Sequence, residues 1–206
     1  MPDENKYSQQ PSRSQLSNAE YHLTPEQTTR VIQAGNCLRD RVLIQLLAET
    51  GVRRSEVASL DIEDIKFTDG FLVIRHGKGQ KLRLVPMTEN LKLKIQHLIK
   101  PRMAGPVFQS RYGRHLSVRQ INRIVSSTGR RAGVRNPNPK YEQITPHLFR
   151  HSFARLWKDR GGDIETLSKI MGHKSVKTTW DLYGTQGLSD VRRNYSQIMH
   201  KLRFYE

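Results

Sequence analysis

Residues 61–86 read DIEDIKFTDGFLVIRHGKGQKLRLVP. The apolar residues fall in three short runs, Ile65 to Phe67, Phe71 to His76 and Leu82 to Pro86, separated by Asp69-Gly70 and by Gly77 to Gln80. Runs of this length punctuated by glycine-bearing turns predict strands joined as hairpins, hence a small three-stranded antiparallel sheet. On both sides the periodicity becomes helical. Upstream, Thr24 and Gln27 form a capping box with Pro25 at the first helical position, opening a helix that stops near Gly35. Leu38, Val42 and Leu46, with Leu43 and Leu47 beside them, predict a longer helix ended by Gly51, and a short one follows over Ser55 to Leu60. Downstream, Leu91, Ile95 and Leu98 mark another helix, and Ser117 with Gln120 forms a second capping box ahead of Ile121, Ile124 and Val125. Asn136-Pro-Asn-Pro139 breaks the chain before Thr145, which caps a helix through His147, Arg150, Phe153 and Leu156 as far as Gly161-Gly162. Two short helices, 164–171 and about 176–183, precede an amphipathic helix over 189–203 with Val191, Tyr195, Ile198, Met199 and Leu202 on one face. The expected fold is mainly α with one small three-stranded antiparallel sheet. Residues 1–23 read as a polar, disordered tail and 24–206 as a single domain, without an internal repeat.

The chain of 206 residues carries 35 Lys+Arg against 19 Asp+Glu, a formal charge of +16. With 35% hydrophobic and 26% charged residues it is neither fibrous nor wholly disordered. Its single cysteine, Cys37, forms no internal disulfide and is too little for a cysteine-based zinc site, which fits a reducing compartment. No apolar run approaches the ~20 residues that span a bilayer, and no hydrophobic segment follows Met-Pro-Asp-Glu-Asn-Lys. The expectation is a cytoplasmic protein. The charge is also uneven. Residues 101–150 hold ten basic groups and one acidic group, whereas residues 1–50 hold five and six. Fifty residues at +9 repel one another unless a polyanion lies against them, which favours a nucleic acid over an anionic membrane. The membrane reading also lacks an amphipathic helix with a purely Lys/Arg polar face.

Four segments hold polar residues that core-building does not require. In Thr50-Gly-Val-Arg-Arg-Ser-Glu56 a helix stops at a glycine and Arg53 opens the next helix, whose first amides would also face an anion. In Gly77-Lys-Gly-Gln-Lys81 a lysine between glycines lets backbone approach a ligand closely; it is not a P-loop, because Gly79 and Leu72 stand where Ser/Thr and the first Gly are required. His147-Leu-Phe-Arg150 places an imidazole and a guanidinium on one helix face, and Gly172-His173 is followed ten residues later by Tyr183. Taken singly, each is better explained as a surface ion pair, a turn lysine, a carbonyl-bound histidine or a packed tyrosine. His147 and His151, spaced i, i+4, could begin a zinc site with His173, but Arg150 beside them and the lack of a flanking carboxylate oppose a bound cation.

Together and in this order the segments resemble the catalytic domain of the tyrosine recombinases, the family of phage integrases, chromosome-dimer resolvases and fimbrial-switch invertases. TGVRRSEVASL resembles the family's first-arginine box, GKGQKLRLVP its hairpin lysine, TPHLFRHSFA its His-x-x-Arg box and IMGHKSVKTTWDLYG its final box. The resemblance runs from about residue 24 to about 200. It implies Arg53, Lys78, His147, Arg150, His173 and Tyr183 as the catalytic set, acting on double-stranded DNA through a 3′-phosphotyrosyl intermediate with no metal or cofactor. The guanidinium groups of Arg53 and Arg150 would clamp the phosphate oxygens, and Tyr183 would attack phosphorus. Lys78 would protonate the leaving 5′ oxygen, His147 would take or hold the tyrosine proton, and His173 would hydrogen-bond the phosphate.

The resemblance also implies a homo-oligomer on DNA, a tetramer in the synapse, whose C-terminal helix packs either onto a neighbouring subunit or back onto its own domain. Many relatives carry an N-terminal helical domain, and the expectation from residues 1–23 is that this sequence has no separate one. Arg54 stands where relatives usually carry an apolar residue, and reads as a further phosphate contact or as an ion pair with Glu56 or Asp61. Lys81, Arg83, Arg114, Arg119, Arg123, Arg130 and Arg131 are further expected duplex contacts. Two other functions share these residues: a non-catalytic DNA-binding accessory factor of the same fold, and a type IB topoisomerase-like activity on one duplex.

Overall fold

The computed structural model of the chain describes residues 21–75 and 82–172. Most of the tail over 1–23, the segment holding Lys78 and Lys81, the residues His173 and Tyr183, and the helices expected over 176–183 and 189–203 lie outside the described residues. Helix α1, Pro25–Gln33, starts as its local sequence dictates: Thr24 Oγ1 accepts from the Gln27 amide at 3.2 Å and Gln27 Oε1 accepts from the Thr24 amide at 2.9 Å. Helix α2, Leu38–Thr50, is the centre of the molecule. A single apolar stripe was expected, yet Val42 through Leu47 are all buried, because α1, the helix α4 (Glu89–Ile99) and the helix α6 (Pro146–Asp159) cover it from different sides. Complete burial of Leu43, Ile44, Leu46 and Leu47 contributes about 1.5–3 kcal/mol each, which anchors α2 and so fixes where its C-terminal end delivers the chain.

Helix α2 ends at Gly51 in the left-handed region with φ +61°, and a Cβ there would stand 2.6 Å from Phe153 Cδ1. Both the turn and the packing require glycine. Helix α3, Arg54–Ala58, is shorter than expected and begins earlier; Leu60 has left the helix, and its carbonyl accepts from the Val107 amide. A 3₁₀ turn over Ile62–Asp64 leads into strands β1 (Ile65–Lys66), β2 (Phe71–Ile74) and β3 (Arg83–Pro86), antiparallel in the order β1-β2-β3, with Leu72 opposite Val85 and Ile74 opposite Arg83. The sheet buries Leu72, Ile74 and Val85 against the helices.

Helix α5, Val118–Arg131, opens on the expected capping box, with Ser117 Oγ accepting from the Gln120 amide. Helix α6 opens on Thr145 with Pro146 at its first position, and α7, Ile164–Met171, opens on Asp163. Gly172, with φ +64°, ends α7. Among the described residues, no helix is long and apolar enough to cross a membrane.

Candidate active site

The end of α2 delivers Arg53 in extended backbone, at the cap of α3. The sequence suggested that the first amides of α3 face an external anion. Just ahead of them, the cap amide of Arg53 is taken by the protein's own Glu56, whose Oε2 accepts from it at 2.7 Å. Glu56 Oε1 also accepts from Arg53 Nη1 at 3.1 Å, so main chain and side chain of Arg53 are held by one carboxylate. That carboxylate is buried, and its other partner is Arg83, which reaches across from β3 with a two-pronged fork, Nη1 to Oε1 at 2.8 Å and Nη2 to Oε2 at 2.7 Å. Burial pushes the Glu56 carboxyl up, but the hydrogen bonds and charge of Arg83, the Arg53 amide and the Arg53 charge outweigh it and hold the group below its ordinary value.

Arg83 therefore does not serve as the duplex contact that the sequence suggested. Its side chain is 8% exposed, and its guanidinium binds Glu56 and the Ile170 carbonyl, at 2.8 Å from Nε. The physical reason is the pleat: Arg83 shares the inward face with Val85, while Leu82 and Leu84 face solvent at 66% and 58% exposure.

Arg150 comes from the first half of α6 and is buried. Its Nη1 donates to the Gly51 carbonyl at 2.6 Å and its Nη2 to the Met171 carbonyl at 2.8 Å, tying the ends of α2 and α7 together. Arg53 Nη2 reaches the next carbonyl, Gly172, at 3.4 Å. The carbonyls of Ile170, Met171 and Gly172 thus accept from Arg83, Arg150 and Arg53 in turn. A helix C-terminus carries negative partial charge, so three guanidinium groups gather there with less mutual repulsion than they would meet elsewhere. Gly172 leads directly into His173.

His147 stands one turn before Arg150, solvent-exposed on α6. Desolvation of the part of its ring turned to the protein lowers its pKa, followed by the positive charges of Arg150, Arg54 and Arg53. Arg150 lies one turn along the same helix, and Arg53 and Arg54 are near enough for their charges to act on the same imidazole. The structure thus brings together Arg53, Arg150 and His147 of the expected set; Lys78, His173 and Tyr183 lie outside the described residues. Glu56 was read from sequence only as a possible partner of Arg54, although an acidic residue three positions into a helix is the one that reaches back to the cap.

Arg54 is exposed and donates to Asn122 Oδ1 at 3.2 Å. Arg114, Arg119, Arg123, Arg130 and Arg131 are exposed as well. On α5, Arg119, Arg123 and Arg130 are spaced i, i+4 and i+11, one stripe opposite the buried Ile121, Val125 and Thr128. Arg131 lies off that stripe and binds the Ala34 carbonyl and Thr128 Oγ1. Among the described residues no group of three or more His, Cys, Asp or Glu could hold a metal ion.

Residues 22–186 match the phage integrase family, a range that takes in all six expected catalytic positions. The chain is 35% identical to the tyrosine recombinase XerA of Pyrococcus furiosus over 164 residues, 76% of this chain and 54% of that protein. It is 32% identical to XerD of Staphylococcus epidermidis over 171 residues, 79% of this chain and 55% of that one. It spans about half the length of the curated relatives it matches. Among solved structures, the XerA recombinase superposes with a TM-score of 0.72 at 31% identity, covering 85% of this chain and 64% of that one. The XerH recombinase bound to its difH substrate superposes with a TM-score of 0.67 at 24% identity, over 85% and 53%.

Proposed function

The chain belongs to the phage integrase family, and from this we propose that it is a site-specific recombinase that cuts and rejoins double-stranded DNA through a 3′-phosphotyrosyl intermediate. The observation that carries the reading is the meeting of Arg53 and Arg150, distant in sequence, at successive carbonyls beside Gly172, with His147 close to both. A phosphodiester resists attack because its two non-bridging oxygens repel nucleophiles, and fixed cations on those oxygens relieve that charge as the transition state forms. Arg53 and Arg150 supply them, since a guanidinium stays charged and binds phosphate through two donors at once. Tyr183 attacks phosphorus; the new bond joins its phenolic oxygen to phosphorus, and the bond from phosphorus to the 5′ oxygen breaks. Lys78 gives that oxygen its proton, and His147, kept neutral by its surroundings, accepts or holds the tyrosine proton. His173 hydrogen-bonds the phosphate. Because the phosphotyrosyl ester stores the broken bond, resealing to another strand requires no ATP.

DNA-bound solved structures of similar fold, XerH on difH among them, support double-stranded DNA as the partner, and rejoining between two sites calls for a homo-oligomer, a tetramer at the synapse. The target is found by mapping the covalent junction after incubation with a pool of random duplexes. A nicked duplex carrying that site then traps the intermediate on a denaturing gel. The wild-type chain forms the adduct and Tyr183→Phe does not, while its affinity for duplex stays within about twofold, since the ring and the basic surface remain. An adduct retained in Tyr183→Phe would reject that residue as nucleophile, and none in the wild type would favour an accessory DNA-binding role. Strand exchange that proceeds on one duplex without a partner site would favour topoisomerase-like activity.

A further inference from the structure

We propose that Arg83 is a positioning residue for DNA cleavage: by bridging the Glu56 carboxylate and the Ile170 carbonyl it sets where Arg53 and the end of α7 stand relative to one another. The inference rests on the recombinase reading, and it extends that reading to a residue that touches no substrate.

Three observations carry it. First, the contacts form one chain: Arg53 holds Glu56 by its amide and by Nη1, Arg83 grips both oxygens of the same carboxylate, and Arg83 Nε reaches α7 at the Ile170 carbonyl. A lysine could not make this three-point contact, because it presents one nitrogen where the site uses three. Second, core-building does not call for an arginine here. The inward face of β3 holds Arg83 while Leu82 and Leu84 on either side are exposed, and a buried ion pair stabilises a fold no better than packed apolar side chains do. Third, the chain passes so close over Arg83 that a Cβ on Gly172 would lie 2.8 Å from Arg83 Cδ. Arg83 thus forms the floor under the peptide whose carbonyl takes Arg53 and which continues into His173.

Among the described residues, Glu56 faces Arg53 from the cap of α3 and Arg83 from β3, with Arg150 of α6 on the neighbouring carbonyl and His147 beyond it. Removing Arg83 takes away the strongest cationic partner of a buried carboxyl, so Glu56 titrates at higher pH and releases Arg53 as it becomes neutral.

The test uses the full chain and a nicked duplex carrying the mapped target site, with adduct formation followed at saturating DNA across pH. Arg83→Gln binds duplex within about threefold of wild type but cleaves about tenfold or more slowly, and the acid limb of its rate profile moves to higher pH. Arg83→Lys, which keeps the charge without the fork, recovers part of the rate and part of the shift. The Glu56→Gln, Arg83→Gln double variant loses no more than the worse single one, because the two act through one contact. Wild-type cleavage in Arg83→Gln, or a loss by the same factor at every pH, would overturn the inference. If Arg83→Gln does not fold by circular dichroism, Arg83→Lys decides it, wild-type rate and profile being the contrary result. Absence of an adduct with the unmodified chain is a separate outcome, which refutes the recombinase reading itself.

Discussion

His147 carries little structural duty, being exposed on the first turn of α6, yet its titration reports the whole cluster. Partial burial and then Arg150, Arg54 and Arg53 favour its neutral form, so the folded-state pKa lies below the ordinary 6.5. In the window between that folded value and 6.5 the unfolded chain binds the proton more readily, so this group's contribution to stability falls as the pH drops through the window and is complete above it. A neutral imidazole at neutral pH is also what the proposed proton acceptance from Tyr183 would require. Of the three arginines, Arg54 is the exposed one, and its hydrogen bond goes to Asn122 rather than to the carbonyls at the end of α7, so its removal leaves the guanidinium clamp standing. Arg54→Ala therefore raises the pKa of His147 toward 6.5, read from the pH dependence of its ring proton resonance. An unchanged titration curve would mean that Arg54 has no part in it, and that burial with Arg150 and Arg53 sets the value.

At the scale of elements, α5 shows how local signals and tertiary ones divide. Its start is written in four consecutive residues, Ser117 to Gln120, whose side chains and amides satisfy each other without help from the rest of the fold. Ser117→Ala leaves the Gln120 amide without its cap and lowers stability by about 1 kcal/mol, measured as a shift in denaturant midpoint at unchanged slope. A loss well below that would mean that packing of Ile121 and Val125 holds the first turn regardless. The same locality explains why the starts of α1, α5 and α6 and the stop at Gly51 were legible in the sequence. The features that were not legible depend on neighbours far along the chain. Helix α2 looked one-sided but is wrapped by α1, α4 and α6. Strand β3 offered apolar residues on both faces, so alternation alone left open which face Arg83 takes, and only the demand of Glu56 and Ile170 settles it. Arg53, His147 and Arg150 could be named from their motifs, because a motif records side-chain types in order. Glu56 and Arg83 could not, because a residue that acts by holding another has no chemistry of its own to display.

For the whole molecule, composition sets the amount of charge and the fold sets its direction. Ten basic groups against one acidic group over residues 101–150 say that a polyanion is favoured, but not where it lies. Arg150, one of those ten, is buried at the candidate active site, whereas Arg119, Arg123 and Arg130 stand in one stripe on the solvent side of α5, whose opposite face is in the core. Helix α5 packs against α3, and Arg54 at the start of α3 reaches Asn122 of α5, so the stripe adjoins the segment that holds Arg53. A duplex seated on that stripe would then present its backbone toward the guanidinium clamp, which couples binding to cleavage through geometry rather than through charge alone. Each phosphate contact releases condensed counterions and steepens the logarithmic dependence of affinity on salt by about 0.9. Replacing the three stripe arginines by alanine therefore lowers the magnitude of that slope by about 2 to 3, measured by fluorescence anisotropy on a labelled duplex over a salt series. Because the three side chains are exposed and outside the cluster around Glu56, the thermal midpoint should stay near that of the wild type. A slope that does not change would place the duplex on another face of the protein, and α5 would then hold the core together without taking part in binding.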